Sequence, residues 1–119
     1  MRISELSAQT GVSTHRLRRY ESLGLISSDR QPNGYRTFNA NTVRSVVFID
    51  MCRKIGFSLD EIAEVIPRYK TGALTAKEMV EAIQRKVKEI DELIASKKMH
   101  RQMLIDHIAW FKSPNRKTK

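Results

Sequence analysis

Several features that would identify other classes of protein are missing from this sequence of 119 residues. Cysteine occurs once, at position 52, so no disulfide can form within the chain. No stretch approaches the ~18 apolar residues that a membrane span needs, and residues 1–5 lack the apolar core of a signal peptide. We therefore expect a cytoplasmic protein with no membrane partner.

Acidic residues are also scarce. There are 13 Asp and Glu residues against 22 Lys and Arg residues, a formal net charge of +9. Such a balance favours polyanionic partners, with nucleic acid first and acidic membrane surfaces second. The basic residues before Lys54 are all arginine, whose planar guanidinium can bind a phosphate or a guanine edge with two hydrogen bonds. They are Arg2, Arg16, Arg18, Arg19, Arg30, Arg36, Arg44 and Arg53.

Residues 3–21 have the pattern of two short helices joined by a tight turn. Apolar residues recur at helical spacing before Gly11, and Ser13 is a good N-cap for a second helix that runs to about Tyr20. We expect Leu17 and Tyr20 to pack in the core. A glycine turn that lets two short helices cross closely is typical of a helix-turn-helix.

The next segment has the pattern of a β-hairpin. The predicted strands are Leu25–Ile26 and Tyr35–Phe38. Between them, Pro32–Gly34 supplies a fixed φ followed by residues that tolerate positive φ. We interpret the hairpin as the wing of a winged helix-turn-helix domain.

Two further helices are predicted before a linker. The first is about four turns long and ends at Gly56; the apolar residues that mark it are Val43, Val46, Val47, Ile49 and Ile55. Ser58 and Glu61 form a capping box for the second, and we expect Pro67 to disturb its end. Residues 70–74 then form the linker.

The longest predicted helix follows a second capping box, at Thr75 and Glu78. Residues 76–111 contain no glycine or proline, and at ~1.5 Å per residue they would form a rod of roughly 54 Å. Apolar residues recur at alternating steps of three and four, lose this register around Lys97 and Lys98, and then resume. This seam consists of Val80, Ile83, Val87, Ile90, Ile94, Ile105 and Ile108. A single apolar stripe needs a partner, and the simplest partner is a second copy of the chain.

These patterns predict a mainly α-helical protein with three regions. Residues 1–70 form the winged helix-turn-helix DNA-binding domain, and residues 75–111 form a dimerisation helix. Residues 112–119 form a basic, flexible tail that adds loose electrostatic attraction.

The motifs in the first half of the chain resemble those of the MerR family. They are Ile3–Ser7, Thr10–Ser13, Leu17–Ile26, Arg30, Asn33–Arg36 and Cys52–Leu59. The long terminal helix is similar to the family's antiparallel dimerisation helix, a coiled coil in the dimer. The sequence departs from the family at Arg19, where an aromatic residue is common, and at Phe38, where tyrosine is common. Arg19 suggests an extra phosphate contact or an altered operator preference.

The resemblance implies a homodimeric, sequence-specific transcriptional regulator at the nucleoid. Such proteins bind a pseudo-palindromic promoter operator and distort the DNA between the −35 and −10 elements, where RNA polymerase then binds. The expected DNA-binding residues, on the second helix of the motif and on the wing, are Thr14, His15, Arg16, Arg18, Arg19, Tyr35 and Arg36. For Thr14 and His15, plain solvated surface is the alternative. The effector, the operator sequence and the sign of regulation stay open.

Cys52 raises the question of a metal or redox sensor. Metal sensors of the family use cysteines near the start of the dimerisation helix and in a loop after it, and residues 112–119 contain none. One thiolate cannot supply the ligand shell that zinc or copper(I) selects. His100 and His107 lie about 10.5 Å apart along a helix, too far to share one ion within a protomer. We therefore expect no metal, no cofactor and a small buried side chain at Cys52, with a reactive sensor thiol as the alternative.

Other functions are less compatible with the sequence. No nucleophile–base pair, phosphate loop or carboxylate pair emerges, so we expect no enzyme. The rival function is an architectural or recombination protein such as a phage excisionase, whose small winged domain can share this pattern but which usually lacks the long helix. A membrane-surface protein is weaker, because the large apolar residues are already needed for the core and the dimer seam.

Overall fold

The computed structural model describes residues 1–114. Its elements are α1 (Ile3–Thr10), α2 (Thr14–Ser22), β1 (Asp29–Arg30), β2 (Arg36–Thr37), α3 (Ala40–Lys54), α4 (Leu59–Lys70) and α5 (Ala76–Lys112). The chain divides into a compact unit over Met1–Glu78 and a second unit from Met79 onward. Of the predicted tail, Lys112 belongs to α5, and residues 115–119 lie outside the described residues. No helix of the described chain is both long and apolar enough to cross a membrane.

The two helices predicted over residues 3–21 are confirmed as α1 and α2. The turn between them passes through Gly11 at φ 73°, a left-handed conformation that glycine adopts without steric cost. The Ser13 hydroxyl then accepts a hydrogen bond from the backbone N–H of Arg16 at 3.2 Å and caps α2. Leu17 and Tyr20 are buried as expected, beside Leu6 of α1, so one face of α2 is fixed to the core.

The wing is present, but its first strand was predicted in the wrong place. The antiparallel pair is β1 with β2, in which Asp29 lies opposite Thr37 and Arg30 opposite Arg36. Leu25 and Ile26, the predicted strand, are core residues that keep only 2% of their surface exposed. Their burial takes them out of the exposed hairpin, and the polar residues that follow make the strand instead.

Helix α3 is confirmed, but its apolar residues do not all face the core. The side chain of Asn39, which was not predicted as a cap, accepts from the N–H of Thr42 at 3.1 Å and starts the helix. Val46 and Ile49 are fully buried, whereas Val47 is 52% exposed and Ile55 is 45% exposed. The helix carries more apolar positions than its core-facing side can cover.

Helix α4 begins with the predicted capping box. The Ser58 hydroxyl accepts from the N–H of Glu61 at 3.1 Å, and the Glu61 carboxylate accepts from the N–H of Ser58 at 2.9 Å. The expected disturbance at Pro67 was wrong, because the helix continues through it to Lys70. A proline near the end of a helix removes only one hydrogen bond, that to the carbonyl of Ala63, which lies on an exposed residue where water can replace it.

The start of α5 is fixed by a second capping box and by an ion pair. The Thr75 hydroxyl accepts from the N–H of Glu78 at 3.1 Å. Arg68 of α4 donates through both terminal nitrogens to the Glu78 carboxylate and also donates to the carbonyl of Ala73 at 3.2 Å. A bidentate pair of this kind holds the linker with defined geometry. It lowers the pKa of Glu78, through the hydrogen bond from Arg68 first and that from Thr75 second.

Candidate DNA-binding interface

Helix α2 presents a basic outer face. His15, Arg18 and Arg19 are exposed, and Thr14 is half-buried at the first turn. The opposite face is fixed to the core by Leu17. A helix anchored in this way can enter the major groove as a rigid element and bring its N-terminal side chains to the base edges.

Arg16 differs from its neighbours on α2 because its guanidinium already has partners. One terminal nitrogen donates to the Tyr20 hydroxyl at 2.8 Å and to the Asp50 carboxylate of α3 at 3.1 Å. Desolvation opposes the charged form, but these hydrogen bonds outweigh it and raise the pKa of Arg16. The hydrogen bond from Lys54 lowers the pKa of Asp50 despite desolvation, and the bond from Arg16 adds to this effect. The contact joins α2 to α3.

The wing residues Tyr35 and Arg36 are both exposed, and each is held by a charged neighbour. The guanidinium carbon of Arg2 lies 4.0 Å from the centroid of the Tyr35 ring, a cation–π contact. Arg36 donates to the Glu21 carboxylate of α2 at 2.7 Å, and the Ser28 hydroxyl donates to the other oxygen of that carboxylate. Glu21 therefore orients the wing against α2 and leaves the other N–H groups of Arg36 available.

A groove of about 400 Å³ runs between α2 and the wing. Three arginines line it, Arg18 from α2 together with Arg30 and Arg36 from the two strands, and Glu21 is the acidic residue among them. Three guanidinium groups on one concave surface can bind the phosphates of a nucleic acid backbone. Of the predicted DNA-binding residues, the structure brings Arg18 and Arg36 together here. Thr14, His15 and Arg19 lie on α2, and Arg16 is turned toward α3.

Two basic residues that were not among the predicted DNA-binding residues lie beside those on the wing. Arg30 lies opposite Arg36 in the hairpin. Arg2 comes beside Tyr35 because Met1 and Phe38 exchange backbone hydrogen bonds of 2.7 and 2.6 Å at the base of the wing. Side chains alternate between the two faces of a strand, so Arg30 could have been predicted to accompany Arg36 once the position of the strands was known. No local pattern indicates a contact between residues 2 and 35.

Cys52 lies in α3, where it keeps 1% of its surface exposed. This confirms the prediction of a buried side chain. Burial raises the pKa of the thiol, because a low-dielectric surrounding disfavours the thiolate. No cluster of three His, Cys, Asp or Glu side chains that could hold a metal ion occurs among residues 1–114.

The seam of α5 is uncovered in the single chain. No residue of α5, all of which lies in the described part of the chain, is buried. The seven seam side chains keep between 37% and 55% of their surface exposed. Other large apolar side chains of α5 are exposed as well, among them Met99 and Met103. Apolar surface of this extent on one helix is typical of an interaction face.

Family comparisons agree with this architecture. The family described as "MerR HTH family regulatory protein" matches residues 1–69, and the one described as "MerR, DNA binding" matches residues 43–107. The chain is 33% identical over 94 residues to the HTH-type transcriptional regulator HmrR of Rhizobium leguminosarum bv. viciae, covering 79% of this chain and 73% of that protein. It is 32% identical over 106 residues to the mercuric resistance operon regulatory protein of Bacillus cereus, covering 88% of this chain and 80% of that one.

Solved structures give the same result. The transcription regulator PbrR691 from Ralstonia metallidurans CH34, in complex with lead(II), superposes with a TM-score of 0.69 at 25% identity and covers 100% of this chain and 91% of that one. HiNmlR, a MerR family regulator lacking the sensor domain and bound to promoter DNA, shares the fold with a TM-score of 0.61 at 21% identity, over 94% of this chain and 86% of that one. The chain belongs to the MerR family and is a DNA-binding transcriptional regulator, not an enzyme.

Proposed function

We propose that this regulator acts as a homodimer, joined through the seam of α5, that binds a pseudo-palindromic promoter operator with one winged helix-turn-helix on each half-site. The observation that carries the proposal is the uncovered seam of α5. A two-fold symmetric dimer offers two copies of the arginine-lined groove, related as the two half-sites of a palindrome are.

The charges along α5 favour an antiparallel pair. With the pair centred on Ile94, Val80 lies opposite the partner's Ile108, and Ile83 opposite the partner's Ile105. Lys97 and Lys98 interrupt the seam, and this arrangement places Lys97 opposite the partner's Asp91 and Lys98 opposite the partner's Ile90. A parallel pair would instead place Lys98 against its own copy, where like charges repel. The interrupted seam thus selects one orientation and one register.

The DNA contacts divide into two classes in this proposal. Arg18, Arg30 and Arg36 bind backbone phosphates from the groove between α2 and the wing. Thr14 and His15, at the exposed start of α2, contact base edges in the major groove. Arg19 adds a phosphate contact outside the groove, and Tyr35 positions the wing tip. Arg16 stabilises the orientation of α2 through Asp50, so its contribution to DNA binding is indirect.

Regulation then depends on the shape of the DNA. Two domains joined through one antiparallel coiled coil are related by a two-fold axis, and an operator whose half-sites do not suit the dimer must bend or untwist to be bound at both. Such distortion brings promoter elements into the relative orientation that RNA polymerase needs. The protein accordingly works at the nucleoid in the cytoplasm. One relative is a mercuric resistance regulator and one solved neighbour is in complex with lead(II), but a metal is not part of the proposal for this chain, because its single cysteine is buried.

The contact classes can be tested on operator sites selected from random DNA. Removal of a phosphate contact weakens binding to all sequences and reduces the salt slope by about one unit, and we expect this for Arg36→Ala. Removal of a base contact costs ~1–3 kcal/mol and relaxes specificity at one position, and we expect this for His15→Ala. Arg85→Ala, which removes an exposed cation of α5, is the matched control and leaves both quantities unchanged.

Fluorescence anisotropy at four or more salt concentrations measures the dissociation constants for operator and random DNA, and their dependence on salt gives the salt slope. Equal losses on both DNAs for His15→Ala would contradict its assignment to base contact. An unchanged salt slope for Arg36→Ala would place the phosphate contacts outside the groove between α2 and the wing.

A further inference from the structure

A second concave site lies in the unit Met1–Glu78, apart from the groove of the DNA-binding surface. This cleft has a volume of about 570 Å³. Three segments enclose it: the chain before β1 at Ser27, the start of α3 at Asn41–Ser45, and the end of α4 with the turn that follows, Tyr69–Gly72. Its volume lies within the ~300–1,000 Å³ typical of sites for small molecules.

The residues that line the cleft are polar, and their charge is of one sign. Arg44 and Lys70 both line it, and no Asp or Glu does. Among residues 1–114 neither cation forms an ion pair, whereas Arg16, Arg36 and Arg68 each pair with a carboxylate. Two unpaired cations attract an anion, and the guanidinium of Arg44 can bind a phosphate or carboxylate with two hydrogen bonds.

Neutral groups complete the cleft. Ser27 and Asn41 line it and carry a hydroxyl and a side-chain amide that can donate to an anion. Tyr69 forms part of the wall, and its ring is held in a stack with Phe48 of α3, with the ring centroids 4.0 Å apart. The wall is therefore fixed to the core, and a ligand meets a preformed surface on this side.

The cleft and the arginine-lined groove share no lining residue. Ser28 lines the groove and donates to Glu21, while its neighbour Ser27 lines the cleft. A phosphate bound by Arg18, Arg30 and Arg36 in the groove contacts none of the residues that line the cleft, so it leaves the cleft free for a different anion. The cleft instead borders Lys70–Gly72, the turn that leads into α5.

We propose that this cleft is an effector site for a small organic anion that carries a phosphate or carboxylate group, bound by Arg44 and Lys70. An occupant contacts both the start of α3 and the turn before α5. It therefore favours one arrangement of that turn, and through it one state of the DNA-binding protein. The proposal goes beyond the function proposed above and does not depend on the dimer.

The first test is binding of pyrophosphate and of citrate to the full chain, with sodium chloride at equal ionic strength as the reference. We expect saturable amide shift changes in NMR spectra, confined to the residues that line the cleft, together with a rise in the unfolding temperature. Arg44→Gln and Lys70→Gln each weaken binding about tenfold or more, as expected for the loss of a charge-assisted hydrogen bond. Lys88→Gln, an exposed cation of α5, is the matched control and leaves the affinity unchanged.

Pyrophosphate and citrate distinguish the two anion classes, because binding of only one identifies phosphate or carboxylate as the preferred group. Non-saturable shifts, shifts at Arg18 and Arg36, or equal binding by all variants would overturn the site. So would a loss of DNA affinity and a reduced salt slope in Arg44→Gln without any anion, because Arg44 would then contact the DNA backbone.

The second test concerns regulation. With the bound anion at saturation, we expect the affinity for selected operator DNA to change about fivefold or more in the wild type and to stay constant in Arg44→Gln/Lys70→Gln. An anion that binds the cleft but leaves DNA affinity unchanged would refute the role as an effector site. Because this comparison needs no seam variant, its failure is distinguishable from failure of the dimer.

Discussion

The dimer seam of α5 gives the prediction with the largest expected effect. We expect Ile83→Asp/Ile90→Asp to convert the dimer to a monomer at micromolar concentration. Ile83 is 37% exposed in the single chain and Ile90 is 42% exposed, so the chain itself covers more than half of each residue, and in the proposed dimer the second copy covers the rest. In the variant, four carboxylates would enter an apolar interface, two from each chain.

The size of the effect follows from burial. Full burial of an aliphatic side chain contributes ~1.5–3 kcal/mol, so the part that remains exposed at each site contributes about 1 kcal/mol to association. A carboxylate in the seam without a partner adds about 1–3 kcal/mol of desolvation. Over four sites the loss is at least ~4 kcal/mol, even if the interface relaxes and admits water. This raises the dissociation constant about a thousandfold or more.

A matched control separates the seam from general damage to the helix. Met99→Asp/Met103→Asp also replaces two exposed apolar side chains of α5 with carboxylates. At 100° per residue, both lie on the side of the helix away from Ile90. This control should therefore remain a dimer, while circular dichroism shows the same helix content in both variants.

Sedimentation velocity over a range of concentrations measures the result. A dimer that persists unchanged in Ile83→Asp/Ile90→Asp would refute the seam as the interface. Equal dissociation of the Met99→Asp/Met103→Asp control would show that another face of α5, and not the seam alone, joins the two chains.

Two further predictions concern the DNA-binding unit. Because Cys52 is buried and burial raises the pKa of its thiol, Cys52→Ala should leave operator affinity within about twofold and lower the free energy of unfolding by ~1 kcal/mol; in vitro transcription that responds to an oxidant in the wild type but not in this variant would instead identify a sensor thiol. The pKa of Asp50 is lowered, by Lys54 first and Arg16 second, so its contribution to stability is present above the usual carboxyl pKa of ~4 and is lost as the pH falls through the lower folded value. Asp50→Asn should reduce stability at neutral pH and make its decline below about pH 4 shallower in denaturant titrations, and an identical pH profile for variant and wild type would contradict this account.

Much of the fold could be predicted from the sequence because the signals are local. Ser13, Ser58 and Thr75 each cap a helix through the residue three positions ahead, so the helix starts follow from a few adjacent letters. The repeat of apolar residues from Val80 to Ile94 predicted one continuous α5, and the structure confirms that helix. The family motifs fixed the DNA-binding class for the same reason, since their residues are consecutive or nearly so.

The tertiary structure decided which residues of these elements face the core, the solvent and each other. Leu25 and Ile26 have the composition of a strand, but they are buried in the core, and the strand is formed by Asp29–Arg30 instead. Val47 fits the helical period of α3 and yet is exposed, because helical period indicates a helix but not which of its sides will be covered.

The tertiary structure also decided which residues come together on the functional surfaces. Arg16 is one of several exposed basic residues on α2, and only the structure shows that its guanidinium is already paired with Asp50, thirty-four positions away. The cleft brings Ser27, Arg44 and Lys70 together from three separate segments. Sequence rules act over the few residues that share a turn of helix or a strand pair. Contacts between distant residues depend instead on how the helices pack, and for these only the three-dimensional structure supplies the neighbours.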